Sequence, residues 1–216
     1  MIKYRVKKLT LGSFTLENIE FDLNKGDVLL IVGPNGSGKT AIIYSLLGLI
    51  RYRGQILIDN VPPGTRQARR LICYVPEKPM LHEELSGLHN IEYYLALNSI
   101  GISEVRTSLY SVADKLDVGG LLNKPAKTYS QGTKRKINVI QAYIVNKPVV
   151  LIDDYESNLD DKTIEFICEW IRKSEEKVFV LTSSKKKNIE ELREKTGKEL
   201  KIVSLREAIG ERKNVH

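Results

Sequence analysis

The chain has 216 residues, a length typical of one large domain or two small lobes. With 42% hydrophobic and 28% charged residues, it is neither disordered, collagen-like nor of low complexity. The formal net charge is +7, and most Lys and Arg residues are interspersed with Glu. A solvated surface accounts for this balance, while an anionic ligand, a nucleic acid or an anionic membrane surface remain alternatives.

Neither a membrane span nor a signal peptide is visible in the sequence. The longest apolar run, residues 41–50, is interrupted by Ser45 and Gly48 and falls short of the ~18–20 residues that span a bilayer. We therefore expect a cytoplasmic protein that another subunit holds at the membrane if it acts there. Cys73 and Cys168 lack metal-site spacing and are expected to be buried thiols.

Short apolar runs typical of strands alternate with segments of helical periodicity. The expected strands are residues 20–23, 28–32, 55–58, 71–75, 149–153, 177–182 and 200–203, and the expected helices between them are residues 39–49, 134–146 and 161–173. The runs at 28–32 and 149–152 are continuously apolar, as in strands buried on both faces of a parallel sheet. The pattern predicts an α/β layered core.

The segment from about residue 80 to 127 interrupts this alternation. It contains two helical patterns, residues 87–98 and 103–116, with no strand pattern between them. We interpret it as a helical lobe inserted into a core made of residues 1–79 and 128–216.

A phosphate-binding motif follows the apolar run at 28–32 and begins the next helix. Its residues, with the one that follows, are Gly33, Pro34, Asn35, Gly36, Ser37, Gly38, Lys39, Thr40 and Ala41. Glycines let backbone N–H groups surround a phosphate, and the helix N-terminus adds partial positive charge. Lys39 is expected to reach the β- and γ-phosphates, and the Thr40 hydroxyl to bind Mg²⁺. The motif predicts binding of a nucleoside triphosphate.

Two further elements complete the expected site. The apolar run at 149–152 ends in Asp153, a candidate Mg²⁺ ligand at the carboxyl edge of the sheet, and Asp154 follows it toward the γ-phosphate. Ser130 is a good helix N-cap, and with Gly132 it offers a second anion site at a helix N-terminus. Asp153 lies 23 residues downstream of Ser130, and this spacing strengthens the assignment of Ser130 and Gly132 to the site.

With these motifs in this order, the sequence resembles the nucleotide-binding domain of ABC ATPases, and it looks most like the exporter-type branch. Residues 33–40 resemble Walker A, residues 129–133 the signature motif, residues 149–154 Walker B and residues 157–160 the D-loop, while Glu77 stands in the position of the Q-loop. The resemblance implies a P-loop NTPase fold: a RecA-like α/β core, an N-terminal antiparallel β portion and an inserted helical lobe. It also implies that ATP and Mg²⁺ bind, with Thr40, Glu77 and Asp153 as metal ligands.

The resemblance further implies partners. Two such chains, identical or different, pair head to tail, so that each nucleotide lies between the Walker motifs of one chain and the signature motif of the other. A transmembrane permease subunit is expected to dock near Glu77 and the helical lobe and to hold the chain at the inner face of the membrane. Nucleic acid is not expected as a partner. A soluble non-transport ABC ATPase and a nucleotide-dependent regulatory dimerisation module are the alternatives.

The residues expected to carry out hydrolysis, Lys39, Asp154 and Ser183, depart from the family pattern at two positions. Asp154 replaces the usual Glu and is shorter by one methylene, and a misplacement of about 1 Å can cost about 100-fold in rate. Ser183 aligns with the switch histidine and lacks the reach and charge of an imidazole. Two interpretations follow: a working homodimeric ATPase that tolerates these changes, or one chain of an asymmetric pair whose own site turns over slowly.

The residue that stacks on adenine has no clear counterpart. The register places Leu11 there, with Phe14 and Tyr4 as substitutes.

Overall fold

A computed structural model describes residues 1–12, 14–185 and 188–206 of the chain. The strands within these residues are β1 (Ile2–Leu11), β2 (Phe14–Leu23), β3 (Val28–Val32), β4 (Tyr52–Ile58), β5 (Ile72–Val75), β6 (Val149–Ile152), β7 (Val178–Ser183) and β8 (Leu200–Ser204). The helices are α1 (Lys39–Leu46), α2 (Arg66–Leu71), α3 (Gly87–Leu97), α4 (Ile102–Lys115), α5 (Gln131–Val145), α6 (Asp161–Lys173) and α7 (Asn188–Thr196).

The strands form two sheets of different type. An antiparallel sheet has the order β2-β1-β4, and a parallel sheet has the order β5-β6-β7-β3-β8. The predicted α/β class, with an antiparallel β portion near the N-terminus, is confirmed.

The parallel sheet is covered on both faces, as the continuously apolar runs predict. In β3, Val28, Leu30 and Val32 belong to a core shared with α3, α4, α5 and α6. Leu29 and Ile31 point the other way, into a second core shared with α1 and the antiparallel sheet. Parallel pairing aligns the strand ends at which the candidate site lies, since Val32 pairs with Ser183 and Ile152 with Leu181.

The region predicted as a helical lobe contains α3 and α4 and two short 3₁₀ turns. Both helices contribute apolar residues to the core that contains α5. The division into core and lobe stays a prediction, and residues 207–216 of the predicted core lie outside the described ranges.

Several predicted boundaries were wrong by a few residues. Helix α5 begins at Gln131 rather than at residue 134, and α1 ends at Leu46 rather than at residue 49, where Gly48 adopts a left-handed φ of 72°. Leu71 ends α2 instead of beginning a strand. The predictions omitted β1, α2 and α7 entirely.

Within the described residues, no helix is both long enough and apolar enough to cross a membrane. Cys73 and Cys168 are both buried and free, as expected.

Candidate nucleotide-binding site

Most of the residues predicted to bind nucleotide and metal follow strands β3, β5 and β6 of the parallel sheet. Strand β7 lies between β3 and β6, so the segments after these strands share the carboxyl edge of the sheet. The backbone N–H of Gly33 donates to the carbonyl of Ser183 at 3.2 Å, and that of Asp153 donates to Val75 at 2.9 Å. The sheet therefore brings segments more than 100 residues apart in sequence to one edge.

The loop that connects β3 to α1 is built around its glycines. Gly36 and Gly38 have left-handed φ values of 79° and 93°, a conformation that favours glycine. Ser37 is buried, and its hydroxyl oxygen has no hydrogen-bond partner among the described residues. A buried hydroxyl without a partner costs free energy, so this loop conformation is held at some cost to stability.

The Lys39 side chain folds back over this loop. Its ammonium donates to the carbonyl oxygens of Gly33 at 2.8 Å and Pro34 at 3.0 Å, and the residue is buried. Both acceptors are neutral, and a charged phosphate oxygen would be a stronger acceptor for the same ammonium.

Thr40 and Asp153 lie together beside the loop. The Thr40 hydroxyl donates to Asp153 Oδ2 at 2.8 Å, and the Thr182 hydroxyl donates to Oδ1 of the same carboxylate at 2.6 Å. Mg²⁺ prefers oxygen ligands such as hydroxyl and carboxylate groups, so Thr40 and Asp153 fit the predicted metal. Burial, and then the nearby Asp153 carboxylate, raise the pKa of Tyr74 on β5.

Glu77 is exposed and lines the same cleft as Asp153. Among the described residues, no cluster of three or more His, Cys, Asp or Glu side chains is arranged to hold a metal ion. A magnesium ion here would therefore need phosphate oxygens or water to complete its coordination.

The backbone of Asp154 is hydrogen-bonded on both sides of its Cα. The residue adopts a left-handed φ of 48°, its N–H donates to the Thr182 hydroxyl at 2.7 Å, and its carbonyl accepts from Arg135 at 2.5 Å. Its Oδ1 is buried without a hydrogen-bond partner in the described part of the chain. Burial raises the pKa of the Asp154 carboxyl, and the charges of Arg135 and Lys39 oppose that rise. Asp154 itself lines the cleft, where a carboxylate can orient a water molecule.

These side chains line one cleft of about 510 Å³. Its walls are formed by Leu11, Phe14, Asn35, Gly36, Gly38, Lys39, Thr40, Ala41, Glu77, Lys78, Asp153 and Asp154. The cleft thus contains most of the predicted Walker A residues, all three predicted metal ligands and Asp154.

One candidate for stacking on adenine was wrong. Tyr4 is fully buried, stacks on Phe21 with ring centroids 4.4 Å apart and shares a hydrogen bond with Ser45 at 2.9 Å. The Tyr4 ring is therefore closed to a ligand. Leu11 and Phe14 both line the cleft, and a Cβ added at Gly38 would lie 2.3 Å from the Phe14 ring.

Ser183 lies at the predicted sheet edge but does not line the cleft. It is fully buried, and its hydroxyl donates to Glu156 Oε1 at 2.7 Å. Asn188 donates to both Ser183 and Glu156, at 3.1 and 2.7 Å. Burial raises the pKa of Glu156, and the Ser183 hydrogen bond opposes that rise. For Ser183 to reach a phosphate, its hydroxyl would have to leave Glu156.

The predicted signature residues lie at the start of α5, outside the cleft. Ser130 is exposed, caps the helix and accepts from the N–H of Thr133 at 3.1 Å. A Cβ at Gly132 would lie 3.0 Å from the carbonyl oxygen of Asn158, so this turn packs against the predicted D-loop.

Sequence reasoning missed three polar residues of this site: Thr182, Glu156 and Arg135. Thr182 could have been found, because two hydroxyl residues, Thr182 and Ser183, end the otherwise apolar strand β7, which pairs with β6. Glu156 and Arg135 carry no comparable local signal, since their partners are distant in sequence.

Comparison with known proteins identifies the family of this chain. The family model described as "ABC transporter" matches residues 16–157, more than half of the chain. A molybdate/tungstate import ATP-binding protein of Pyrococcus horikoshii is 32% identical over 156 residues, which are 69% of this chain and 44% of that protein. A cytochrome c biogenesis ATP-binding export protein of Pseudomonas syringae is 31% identical over 157 residues, 71% of this chain and 73% of the relative. The chain belongs to the ABC transporter family.

The chain spans about half the length of the molybdate/tungstate relatives from Pyrococcus horikoshii and Methanocaldococcus jannaschii, 44% and 54%. Among solved structures, an ATP-binding subunit of an ABC transporter superposes with a TM-score of 0.82 at 22% identity, covering 95% of this chain and 87% of that one. An ATP-binding cassette solved as a dimer with ADP and Pi superposes with a TM-score of 0.77 at 21% identity, covering 98% and 97%. These likenesses show that the fold is that of ABC ATPase domains.

Proposed function

We propose that this chain is the ATP-binding subunit of an ABC membrane transporter and that it binds and hydrolyses ATP with Mg²⁺. The observation that carries the proposal is the shared cleft of Lys39, Thr40 and Asp153 beside a glycine-rich loop. Lys39 and the loop N–H groups would hold the phosphates, while Thr40, Asp153 and Glu77 would hold Mg²⁺. Bound magnesium would neutralise charge that develops on the phosphates.

Hydrolysis is assigned to Asp154, which would orient the attacking water. We expect turnover by this chain alone to be slow, because Asp154 is short and because Ser183 donates to Glu156 instead of presenting its hydroxyl to the cleft. Slow turnover is what we expect of one chain in an asymmetric pair. In such a pair, this chain's signature residues would complete the nucleotide site of a partner chain that hydrolyses ATP faster.

Pairing with a second ABC ATPase chain is proposed from the position of the signature residues. Ser130 and Gly132 do not line the cleft of their own chain, so they are free to meet a nucleotide held by another. Because each chain carries one cleft and one such anion site, a two-fold or pseudo-two-fold arrangement would use both. A relative of the same fold has been solved as a dimer.

Two substitutions at Ser130 test this pairing. Asp is as good an N-cap as Ser, so Ser130→Asp should preserve α5 while placing a negative charge against the partner's triphosphate. Ser130→Asn keeps an uncharged cap and is the matched control. If two copies of this chain pair, MgATP should shift the wild type and Ser130→Asn toward dimer mass in light scattering, and Ser130→Asp should remain monomeric with unchanged ATP affinity; a wild type that stays monomeric would favour a different partner chain. Equal dimerisation of Ser130→Asp would refute the head-to-tail arrangement.

The second proposed partner is a transmembrane permease subunit that docks beside Glu77 and holds the chain at the inner face of the membrane. The segment that follows Glu77 in sequence exposes four large apolar side chains: Met80, Leu85, Tyr93 and Leu97. Met80, three residues after Glu77 and 73% exposed, is the one that we expect to contact the permease. The relatives' names, which include import and export ATP-binding proteins, support transport.

Crosslinking tests the permease proposal. A cysteine that replaces Met80 should crosslink to a hydrophobic membrane protein in native membranes, and a cysteine that replaces the exposed Lys25 should not. Crosslinks of the Met80 cysteine to soluble proteins or nucleic acid alone would favour a non-transport ABC ATPase.

A further inference from the structure

Arg135 is a buried cation without an ion-pair partner among the described residues. The residue is fully buried on α5, five positions after Ser130. Its guanidinium donates to three main-chain carbonyl oxygens: those of Asp153 at 2.6 Å, Asp154 at 2.5 Å and Ser157. Burial of a guanidinium is costly. All three of its hydrogen bonds go to the loop that follows β6, so the buried charge serves to hold that loop.

The carbonyls that Arg135 holds belong to the segment between β6 and α6. Asp154 lies in this segment with a left-handed φ of 48°, a conformation that costs a non-glycine residue free energy. Thr182 accepts from the N–H of Asp154, and Arg135 donates to its C=O. Each peptide group beside the Asp154 Cα is thus fixed by one hydrogen bond. Because both groups are fixed, the direction of the Cα–Cβ bond of Asp154 is fixed as well.

We propose that Arg135 is a positioning residue for Asp154: it holds the main chain of the hydrolytic loop so that the short carboxylate reaches the attacking water. This inference rests on the proposed ATPase function. It adds that α5, which begins with the predicted signature residues, is hydrogen-bonded directly to the loop that carries Asp154. A shorter carboxylate tolerates less backbone displacement, because it has one torsion fewer with which to compensate.

Two substitutions separate positioning from general structural support. Arg135→Gln removes the charge and can donate to at most two of the three carbonyls, while Arg135→Lys keeps a cation with three donors on a shorter, non-planar head. Arg172→Gln, the same change at an exposed position of α6, is the control. Each full-length variant is assayed for MgATP affinity by titration, for the single-turnover hydrolysis rate and for its thermal midpoint.

We expect Arg135→Gln to lower the hydrolysis rate by about tenfold to 100-fold, the cost of displacing a catalytic group by about 1 Å, with ATP affinity within about twofold of wild type. Arg135→Lys should recover part of the rate, and Arg172→Gln should match the wild type. A rate for Arg135→Gln within twofold of wild type would overturn the inference, as would parallel losses of rate and affinity.

Two further outcomes remain decisive. If Arg135→Gln is unfolded at the assay temperature, the split between rate and affinity in Arg135→Lys decides by the same criteria. If the wild type binds ATP but shows no single-turnover hydrolysis, the proposed ATPase function fails, and the positioning role fails with it. Wild-type hydrolysis with unaffected Arg135 variants would refute the positioning role alone.

Discussion

The hydroxyl of Thr182 lies 2.6 Å from Oδ1 of Asp153, so the end of β7 holds the carboxylate that follows β6. The same hydroxyl accepts from the N–H of Asp154 at 2.7 Å. One side chain therefore orients both the proposed Mg²⁺ ligand and the backbone of the residue proposed to position water. Because Thr182 is fully buried, water cannot replace these hydrogen bonds if the hydroxyl is lost.

Thr182→Val tests this arrangement, since valine keeps the shape and removes the hydroxyl. We expect the free energy of unfolding to fall by about 1–3 kcal/mol, because a buried carboxylate oxygen and a buried N–H lose their partner. The Mg²⁺ concentration for half-maximal ATP binding should rise. Urea unfolding and Mg²⁺ titrations measure the two effects, and Thr182→Ser, which retains the hydroxyl, should resemble the wild type. Wild-type values for Thr182→Val in both assays would contradict the assignment.

The half-buried carboxyl of Glu156 predicts a pH-dependent stability. Its pKa is raised by burial, so the folded state retains a proton that the unfolded state has already released. The free energy of unfolding contributed by this group is therefore present below the ordinary glutamate pKa and is lost as the pH rises through the raised value. In Glu156→Gln this titration is absent, while an amide oxygen still accepts from Ser183 and Asn188.

We expect the wild type to lose stability relative to Glu156→Gln as the pH rises from about 4, the ordinary glutamate pKa, through the raised pKa of Glu156. Urea unfolding of both proteins at a series of pH values above about 4 measures the difference. Glu190→Gln, at an exposed position of α7, should track the wild type throughout. A wild-type minus Glu156→Gln difference that is constant, or that grows in favour of the wild type with pH, would show that the Glu156 pKa is not raised.

The parts of the fold that were predictable from sequence are those with strong local patterns. The bounds of β3 and α6 match the expectation, because a continuous apolar run and an amphipathic run with a capping Asp160 are each unambiguous. Strand β1 alternates buried and exposed residues only as far as Val6, where the pairing shifts register, and this irregularity weakens its pattern. Helix α7 is short and mostly polar, so its packing rather than its sequence defines it.

The same contrast holds for the candidate site. That Lys39, Thr40 and Asp153 lie at one edge of the sheet was predictable, because each motif is local and directly follows an apolar strand. The hydrogen bond from Ser183 to Glu156 joins residues 27 apart, and Arg135 meets Asp154 only through tertiary packing. Both involve buried polar side chains that a hydropathy pattern interprets as surface residues.

The length of the carboxylate at position 154 predicts the direction of a kinetic change. Asp154→Glu adds one methylene and should raise kcat with little change in ATP affinity, because this residue is proposed to act on the attacking water and not on nucleotide binding. Asp154→Asn should lower kcat strongly. Steady-state and single-turnover hydrolysis by the purified full-length chain measure both effects. Asp161→Glu, the same change at an exposed position, is the control.

Two results would count against a slow site limited by Asp154. One is wild-type turnover at the few-per-second rates ordinary for enzymes. The other is an unchanged kcat in Asp154→Glu, which would place the limitation in a missing partner chain or membrane subunit.

The Lys39 ammonium, which donates to the Gly33 and Pro34 carbonyls of the glycine-rich loop, is the cation expected to bind the phosphates. The most direct test is a titration of the full-length wild type and Lys39→Ala with ATP in the presence of Mg²⁺, with the exposed Lys25→Ala as control. We predict that Lys39→Ala weakens binding by about 10- to 100-fold, the worth of one charge-assisted hydrogen bond or a little more, and that Lys25→Ala binds like the wild type. Equal ATP affinity of the wild type and Lys39→Ala would contradict the assignment of this cleft as the nucleotide site.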